Sequence, residues 1–177
     1  MPRPLTPDQA EFWLQDILLG RIKHESLTTR KVLEAVPADK GDYRPDTCSR
    51  TAIELVRHIA AADIRFLETT INAEFSTAAV LPDSIKTPAE IAAWHTENFA
   101  DRFAKLTQLK GDHLVKMTDF RGLMHLPAVA FLQLGMSHTI HHRGQLSSYL
   151  RCMGAKVPSI YGESYDDAQA RKATAAS

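Results

Sequence analysis

The sequence has few cysteines, and their spacing excludes a disulfide or cysteine-metal framework. Only two occur in 177 residues, Cys48 and Cys152, and no CxxC pair is present. Disulfide-stapled secreted domains and cysteine zinc sites both need more cysteines at closer spacing. We therefore predict two reduced thiols in a cytoplasmic protein.

The sequence also lacks net charge and long hydrophobic runs. Its 21 Lys and Arg residues balance 21 Asp and Glu residues, so no basic excess attracts phosphate backbones or anionic lipids. The apolar stretches are short and interrupted, and the first eight residues, MPRPLTPD, contain no apolar secretory core. We expect no nucleic-acid partner, no membrane partner and no export.

What the sequence does contain is an apolar fraction of 44% arranged with helical periodicity. Thr6-Pro7 and Thr87-Pro88 each place a capping residue before a proline, which suits the first turn of a helix. Strand alternation is absent over any useful length, so the predicted fold is all-α, a four-helix bundle. The helices are predicted over about residues 6–36, 50–74, 87–110 and 128–153.

The length of the chain supports one hydrophobic core rather than two. We expect a single domain over residues 1–165 and a flexible, Ala-rich C-terminal tail over residues 166–177. About a dozen residues, Leu81-Pro82-Asp83-Ser84 among them, join the second helix to the third. A connection of that length can cross the bundle and let these two helices run parallel.

Three histidines within five residues mark the last helix as the candidate functional element. His138 and His142 are four residues apart, so their imidazoles project from nearly the same helical face and can converge on one ion. Leu134 and Leu146 extend the same face and place it toward the bundle interior. Buried imidazoles need either hydrogen-bond partners or a metal ion.

A third ligand has to come from another helix, and His58 lies in an apolar stretch of the second helix. His24 and His95 lie in similar patterns and are alternatives to His58. His141 points about 100° away from His142 and is interpreted as a neighbouring or surface residue. Three protein ligands would leave a coordination position open for water or substrate, as in catalytic sites. The competing interpretation is a set of hydrogen-bonded core histidines without metal.

Several other residues are candidates for supporting roles around this site. Glu54 and Asp63 flank His58 and could orient an imidazole or accept a proton. Arg143 could pair with either carboxylate or remain a solvated charge, and Tyr161 could close the pocket. Gly144, in the middle of a helix, suggests the close approach of another helix; the alternative is a glycine that the helix merely tolerates.

Two sequence blocks and one histidine segment carry a resemblance to a known family. They are HTIHHRGQ over residues 138–145, LRCMGAKVPSIYG over residues 150–162, and LVRHIA over residues 55–60 around His58. Together they resemble the DinB-like, or YfiT-like, metal-binding proteins, which are unrelated to the DNA polymerase of similar name. The resemblance extends from the first helix to about Tyr165.

The resemblance implies a four-helix bundle of up-down-down-up topology that forms homodimers. It implies one divalent metal ion, zinc or nickel with iron as an alternative, held by His58, His138 and His142. Relatives of known activity include transferases and isomerases that use a low-molecular-weight thiol, and metal-dependent hydrolases. The expected function is therefore activation of such a thiol, or of water, against a small-molecule electrophile; the alternative is a non-catalytic metal-binding bundle with a structural, sensing or stress-related role.

Overall fold

The computed structural model describes residues 4–78 and 80–175 of the chain. The predicted domain and tail extend at their ends into residues 1–3 and 176–177, which lie outside the described residues. The long first helix, α1, consists of α-helical Pro7–Phe12, π-helical Trp13–Leu18 and α-helical Leu19–Glu34. The elements that follow it are a 3₁₀ turn at Ala38–Lys40, α2 (Ala52–Asn72), α3 (Pro88–Leu106), α4 (Gly111–Leu114), β1 (Met117–Phe120), β2 (Met124–Pro127), α5 (Ala130–Cys152) and α6 (Tyr165–Ala175).

The four predicted helices are confirmed as α1, α2, α3 and α5, with ends that differ by a few residues. Thr6, Thr51 and Thr87 each accept a hydrogen bond from the backbone N–H three residues later. The side-chain oxygen of the Gln or Glu at that later position accepts the backbone N–H of the capping residue, which completes a capping box. Local sequence chemistry therefore sets where these three helices begin.

The four long helices enclose an aliphatic core. Helix α1 packs against α3 and α5, and α2 packs against the same two helices. Between α2 and α3, Asp63 contacts His95 and Glu68 contacts Arg102. The two helices therefore run in the same direction. In the described parts of the chain, no helix combines the length and the apolar character needed to cross a membrane. Buried core residues include Val32, Leu33, Leu55, Val56, Ile59, Ile91, Leu146 and Leu150.

The close helix approach predicted at Gly144 occurs instead at Gly135. A Cβ atom added to Gly144 would meet no atom within 4 Å, whereas one added to Gly135 would lie 2.5 Å from the Cβ of Phe66. The prediction for Gly144 was wrong because helical position alone does not reveal which glycine faces the neighbouring helix. Gly135 lets α5 approach α2 just before His138.

A short β-hairpin is an element that the predicted all-α bundle did not include. Strands β1 and β2 pair antiparallel, with Phe120 opposite Met124. The turn between them contains positive φ angles at Arg121 (59°) and Gly122 (71°), and Asp119 accepts a hydrogen bond from the Gly122 N–H. Each strand has only four residues, which is too short for an alternating pattern to stand out.

The predicted tail begins as a helix in the described part of the chain. Helix α6 spans Tyr165–Ala175 and contains no buried residue. The Asp166 carboxylate accepts a hydrogen bond from the Val157 N–H and pairs with Arg151, which fixes the start of the helix near α5. The proposed flexibility of the tail stays a prediction.

Candidate metal centre

The structure brings together the three histidines that were predicted as metal ligands. His58 on α2 faces His138 and His142 on α5, and its Nε2 atom lies 3.1 Å from the Nε2 atom of each. All three ligand atoms lie within 4.8 Å of one another, and each residue is partly buried. The i,i+4 spacing on α5 and the packing of α2 against it therefore produce one cluster.

The donor set of this cluster fits a divalent cation. Nitrogens bonded to a tetrahedral zinc ion at about 2.0 to 2.1 Å are separated by about 3.3 Å, which is close to the observed contacts. His142 Nδ1 lies 2.7 Å from Gln145 Oε1 and donates its proton there, so its Nε2 lone pair points into the cluster. A proton on His58 Nε2 could satisfy only one of its two facing nitrogens. A cation would satisfy all three.

Gln145 is a site residue that the sequence reasoning missed. Its carbonyl oxygen accepts the proton of His142, and its Nε2 lies 3.2 Å from His141 Nε2, to which it can donate. His141 is exposed and lies beside the cluster without joining it: its ring centroid is 4.9 Å from that of His142. The i,i+3 spacing of His142 and Gln145 was the available signal, since residues at that spacing are neighbours on a helix.

Electrostatics keep the imidazoles of the metal-free cluster neutral near pH 7. Burial lowers the pKa of His58 to about 4, and the Arg50 charge and the other two imidazoles act in the same direction. Burial and the neighbouring His142 lower the pKa of His138 to about 4, although the Asp63 charge opposes them. Burial also lowers the pKa of His142, against the opposing hydrogen bond to Gln145. Neutral imidazoles are the form that binds metal.

The two carboxylates predicted near the site have different roles. Glu54 accepts the Thr51 N–H as part of the helix cap, so it is already occupied at the start of α2. Asp63 contacts His95 Nε2 at 2.7 Å and accepts the Thr139 hydroxyl at 3.2 Å. Neither carboxylate hydrogen-bonds to a clustered histidine. His138 Nδ1 is buried and has no hydrogen-bond partner among the described residues.

An aromatic cluster forms the apolar wall beside His138. Phe66 lies 5.6 Å from the His138 ring, centroid to centroid, and contacts Phe75 and Phe120 in turn. Phe120 comes from the hairpin and lies 4.6 Å from Phe75. The hairpin thus contributes Phe120 to the aromatic cluster whose member Phe66 lies beside His138.

The alternative histidines do not join the cluster. His95 is 1% exposed and is bound to Asp63, and His24 is exposed on α1. Among residues 4–78 and 80–175, the three-member group of potential metal ligands is His58, His138 and His142.

The structure corrects the predicted contacts of Arg143 and Tyr161. Arg143 is 1% exposed and pairs with Glu25 on α1, with Nη2 and Oε2 2.6 Å apart. It also donates to the Tyr161 hydroxyl at 2.6 Å, and that hydroxyl contacts Glu25 in turn. Neither Asp63 nor Glu54 is its ion-pair partner. Tyr161 secures the C-terminal segment to α1 and α5 instead of closing the histidine cluster.

The fold and the cluster define a class: a mostly helical protein with three convergent histidines suited to a divalent metal. Comparison with protein families gives the particular family. The sequence model of the DinB family matches residues 12–174, so the chain belongs to the DinB family. The resemblance drawn from the HRGQ and VPSIYG blocks is thereby confirmed.

Similar proteins come from Bacillus. The uncharacterized protein YjoA of Bacillus subtilis (strain 168) is 29% identical over 134 residues, which are 75% of this chain and 86% of YjoA. The crystal structure of YjoA, described as a DinB-like protein, has a TM-score of 0.69 at 26% identity and covers 83% of this chain and 99% of its own. A DinB-like protein from Bacillus cereus ATCC 10987 has a TM-score of 0.67 at 20% identity, covers 90% of this chain and 100% of its own, and supports the fold alone.

Proposed function

We propose that this protein binds one divalent metal ion through His58, His138 and His142 and uses it to activate a small thiol, or water, against a small-molecule electrophile. Zinc and nickel suit three imidazoles, and iron is an alternative. The observation that carries the proposal is the convergence of three Nε2 atoms, with His58 3.1 Å from each of the other two. Membership of the DinB family supports the same function.

Some residues of the chain would bind the ion, and others would orient those ligands or exclude water from them. The three imidazoles would supply neutral nitrogen ligands, and Gln145 would hold His142 in the tautomer that leaves Nε2 free. Phe66 would exclude water on the His138 side. A bound divalent ion supplies Lewis acidity, which lowers the pKa of a thiol or water molecule in its open coordination position.

The positions of the carboxylates favour a thiol over water as the nucleophile. Glu54 is held in the helix cap and Asp63 is held by His95 and Thr139, so both candidate bases are occupied. The nucleophile must then lose its proton with little help from a protein base. A zinc ion lowers the pKa of bound water to about 7, whereas a coordinating thiol is deprotonated outright, so the thiol needs less help from a base.

Elemental analysis of untagged protein tests the metal site. We expect about one equivalent of divalent metal in the native protein and a loss of stoichiometric metal in His138→Ala. His141→Ala is the matched control, because His141 is adjacent on the same helix but outside the cluster, and it should retain the metal. A native protein free of metal, and unable to take up zinc, nickel or iron, would show that the histidines are only core residues.

The reaction is tested separately from metal binding. Loss of free thiol in the presence of an aryl halide electrophile should accelerate with metal-loaded protein and return to the background rate with His138→Ala. A protein that binds stoichiometric metal but accelerates no thiol or hydrolytic reaction across a substrate panel would instead support the non-catalytic alternative. The occupied carboxylates are the observation in favour of that alternative.

The proposal extends to the arrangement of the helices and to assembly. An up-down-down-up topology is supported by the α2–α3 contacts, in which Asp63 meets His95 and Glu68 meets Arg102, so both helices run the same way. We also propose a homodimer and a cytoplasmic location, which the family resemblance and the two free cysteines support. Light scattering of the purified protein tests the dimer, with a monomer mass as the contradicting result.

A further inference from the structure

An open cleft beside His142 contains an arginine that the metal site does not use. The cleft has a volume of about 430 Å³, within the size range of small-molecule sites. It lies between the loop before α2 and the middle of α5. Its lining includes Cys48, Ser49, Arg50, His142, Gln145 and Tyr149.

The charge of Arg50 is not balanced within this cleft. Apart from the histidine, Arg50 carries the only formal charge at neutral pH among the residues that line it. Its guanidinium has no hydrogen-bond or ion-pair partner among the described residues, although its backbone carbonyl accepts the Tyr149 hydroxyl at 3.2 Å. That bond ties the Arg50 backbone to α5, the helix that carries His142.

Acidic groups near this loop are already occupied. Asp46 accepts the backbone N–H groups of Cys48 and Ser49 and the Ser49 hydroxyl. Glu54 is held in the helix cap by Thr51. The Arg50 charge helps to lower the pKa of Glu54, but the Arg50 guanidinium bonds to neither carboxylate, so its N–H donors stay available to whatever enters the cleft.

The cleft on the other side of His58 provides an internal comparison. Arg57 and Arg65 line it together with the acidic residues Glu54 and Asp83, so its charges cancel. Both arginines are also bound to loop carbonyls: Arg57 to Ile85 and Arg65 to Ala78. On the His142 side, by contrast, no acidic residue lines the cleft and the Arg50 guanidinium has no bonded partner among the described residues.

We propose that Arg50 binds a carboxylate on the small molecule whose reactive group reaches the three-histidine centre. This inference rests on the proposed function and names its substrate class: small acids, either a thiol carboxylate or an electrophile carrying one. A guanidinium matches a carboxylate with two parallel N–H donors, which fixes orientation as well as position. Arg50 would thus hold one end of the substrate while the other end lies near His142.

Cobalt-loaded protein and two thiols of similar size test the inference. Titration with 3-mercaptopropionate and with 2-mercaptoethanol is followed by the charge-transfer absorbance that appears when a thiolate binds cobalt. We expect the carboxylate thiol to bind about three- to tenfold more tightly, a modest ratio because the ion pair is exposed. In Arg50→Gln the ratio should fall to one while the affinity for 2-mercaptoethanol is unchanged.

Matched variants distinguish carboxylate binding by Arg50 from a general effect of positive charge on this loop. Arg44→Gln removes an exposed arginine of the same loop that does not line the cleft, and it should keep the native ratio. Arg50→Lys should keep part of the preference for 3-mercaptopropionate over 2-mercaptoethanol. Because like charges repel, Arg50→Gln should also bind cobalt itself slightly more tightly, a readout that needs no substrate. Competition by acetate and not by inorganic phosphate would identify the anion as a carboxylate; the reverse would replace it with a phosphate.

The possible failures are distinguishable. If native protein binds both thiols equally, or if Arg50→Gln keeps the preference, the role of Arg50 is refuted and the proposed function stands. If the protein takes up no cobalt, or takes it up and binds neither thiol, the proposed function in its thiol form is refuted first. Arg50 is exposed, so its variants should melt at the native temperature.

Discussion

The hydrogen bond between His142 and Gln145 makes a quantitative prediction for metal affinity. Gln145→Met keeps the length of the side chain but removes the carbonyl oxygen that lies 2.7 Å from His142 Nδ1. Without this acceptor, His142 can rotate and can place its proton on Nε2, the atom that faces the cluster. Partners of this kind typically contribute 10- to 100-fold to metal affinity.

The exposure of Gln145 places the expected loss at the lower end of that range. Water can reach His142 Nδ1 and replace part of the lost bond, so we expect about a tenfold weaker metal affinity, or about 1.4 kcal/mol. Gln145→Glu keeps an oxygen acceptor and should bind metal at least as tightly as the native protein. Competition with a chromophoric chelator at pH 7.5 measures all three affinities.

His141→Ala is the control for this prediction. It removes the other partner of Gln145 but leaves the bond to His142 in place, so affinity should change by less than about threefold, well below the Gln145→Met effect. The reasoning would be refuted by a Gln145→Met protein with native affinity alongside a His138→Ala protein that has lost the metal. That result would mean that packing alone orients His142.

Three further predictions concern stability. Gly135→Ala should destabilise the protein by about 2 kcal/mol in urea unfolding, since overpacking against Phe66 outweighs the gain in helix propensity. Gly144→Ala, which adds a methyl group in open space, should stabilise it by up to about 1 kcal/mol. Equal effects would refute the assignment of the close contact to Gly135. In metal-free protein, the pKa values of His58 and His138 are lowered to about 4, so the unfolded chain binds more protons than the folded one between about pH 6.5 and 4. The free energy of unfolding should therefore fall as pH drops through this range, and it should fall less steeply in His138→Ala. A profile that is flat down to about pH 5, or equally steep in His138→Ala, would contradict this. Metal at 100 times its dissociation constant should add about 2.7 kcal/mol, which is about 5 to 11 °C in melting temperature for a chain of this size, and no shift on chelation would count against specific binding to the folded state.

Local chemistry made the helices predictable from the sequence. The threonine caps at Thr6, Thr51 and Thr87 act over three residues, and apolar periodicity acts over one helical turn. Both effects are complete within a short segment of chain, so they can be recognised without knowing the rest of the fold. The four-residue strands of the hairpin offered no comparable pattern.

The histidine pair on α5 could also be predicted from local spacing, but the third histidine of the cluster could not. The i,i+4 spacing of His138 and His142 places both imidazoles on one face whatever the rest of the chain does. The residue pattern left His24, His58 and His95 as candidates for the third position, and the family resemblance favoured His58. In the structure, His95 is committed to Asp63 and His58 faces the pair.

The helical class, the capped starts of three helices and the histidine pair could be read from the sequence, because they depend on separations of three or four residues along one helix. Three other features became visible only once the helices were packed: Arg143 binds Glu25, Gly135 rather than Gly144 meets Phe66, and Arg50 shares a cleft with His142. These contacts join residues far apart in the chain. Their geometry depends on how whole helices pack, and the periodicity of one helix does not specify which face of another it will meet.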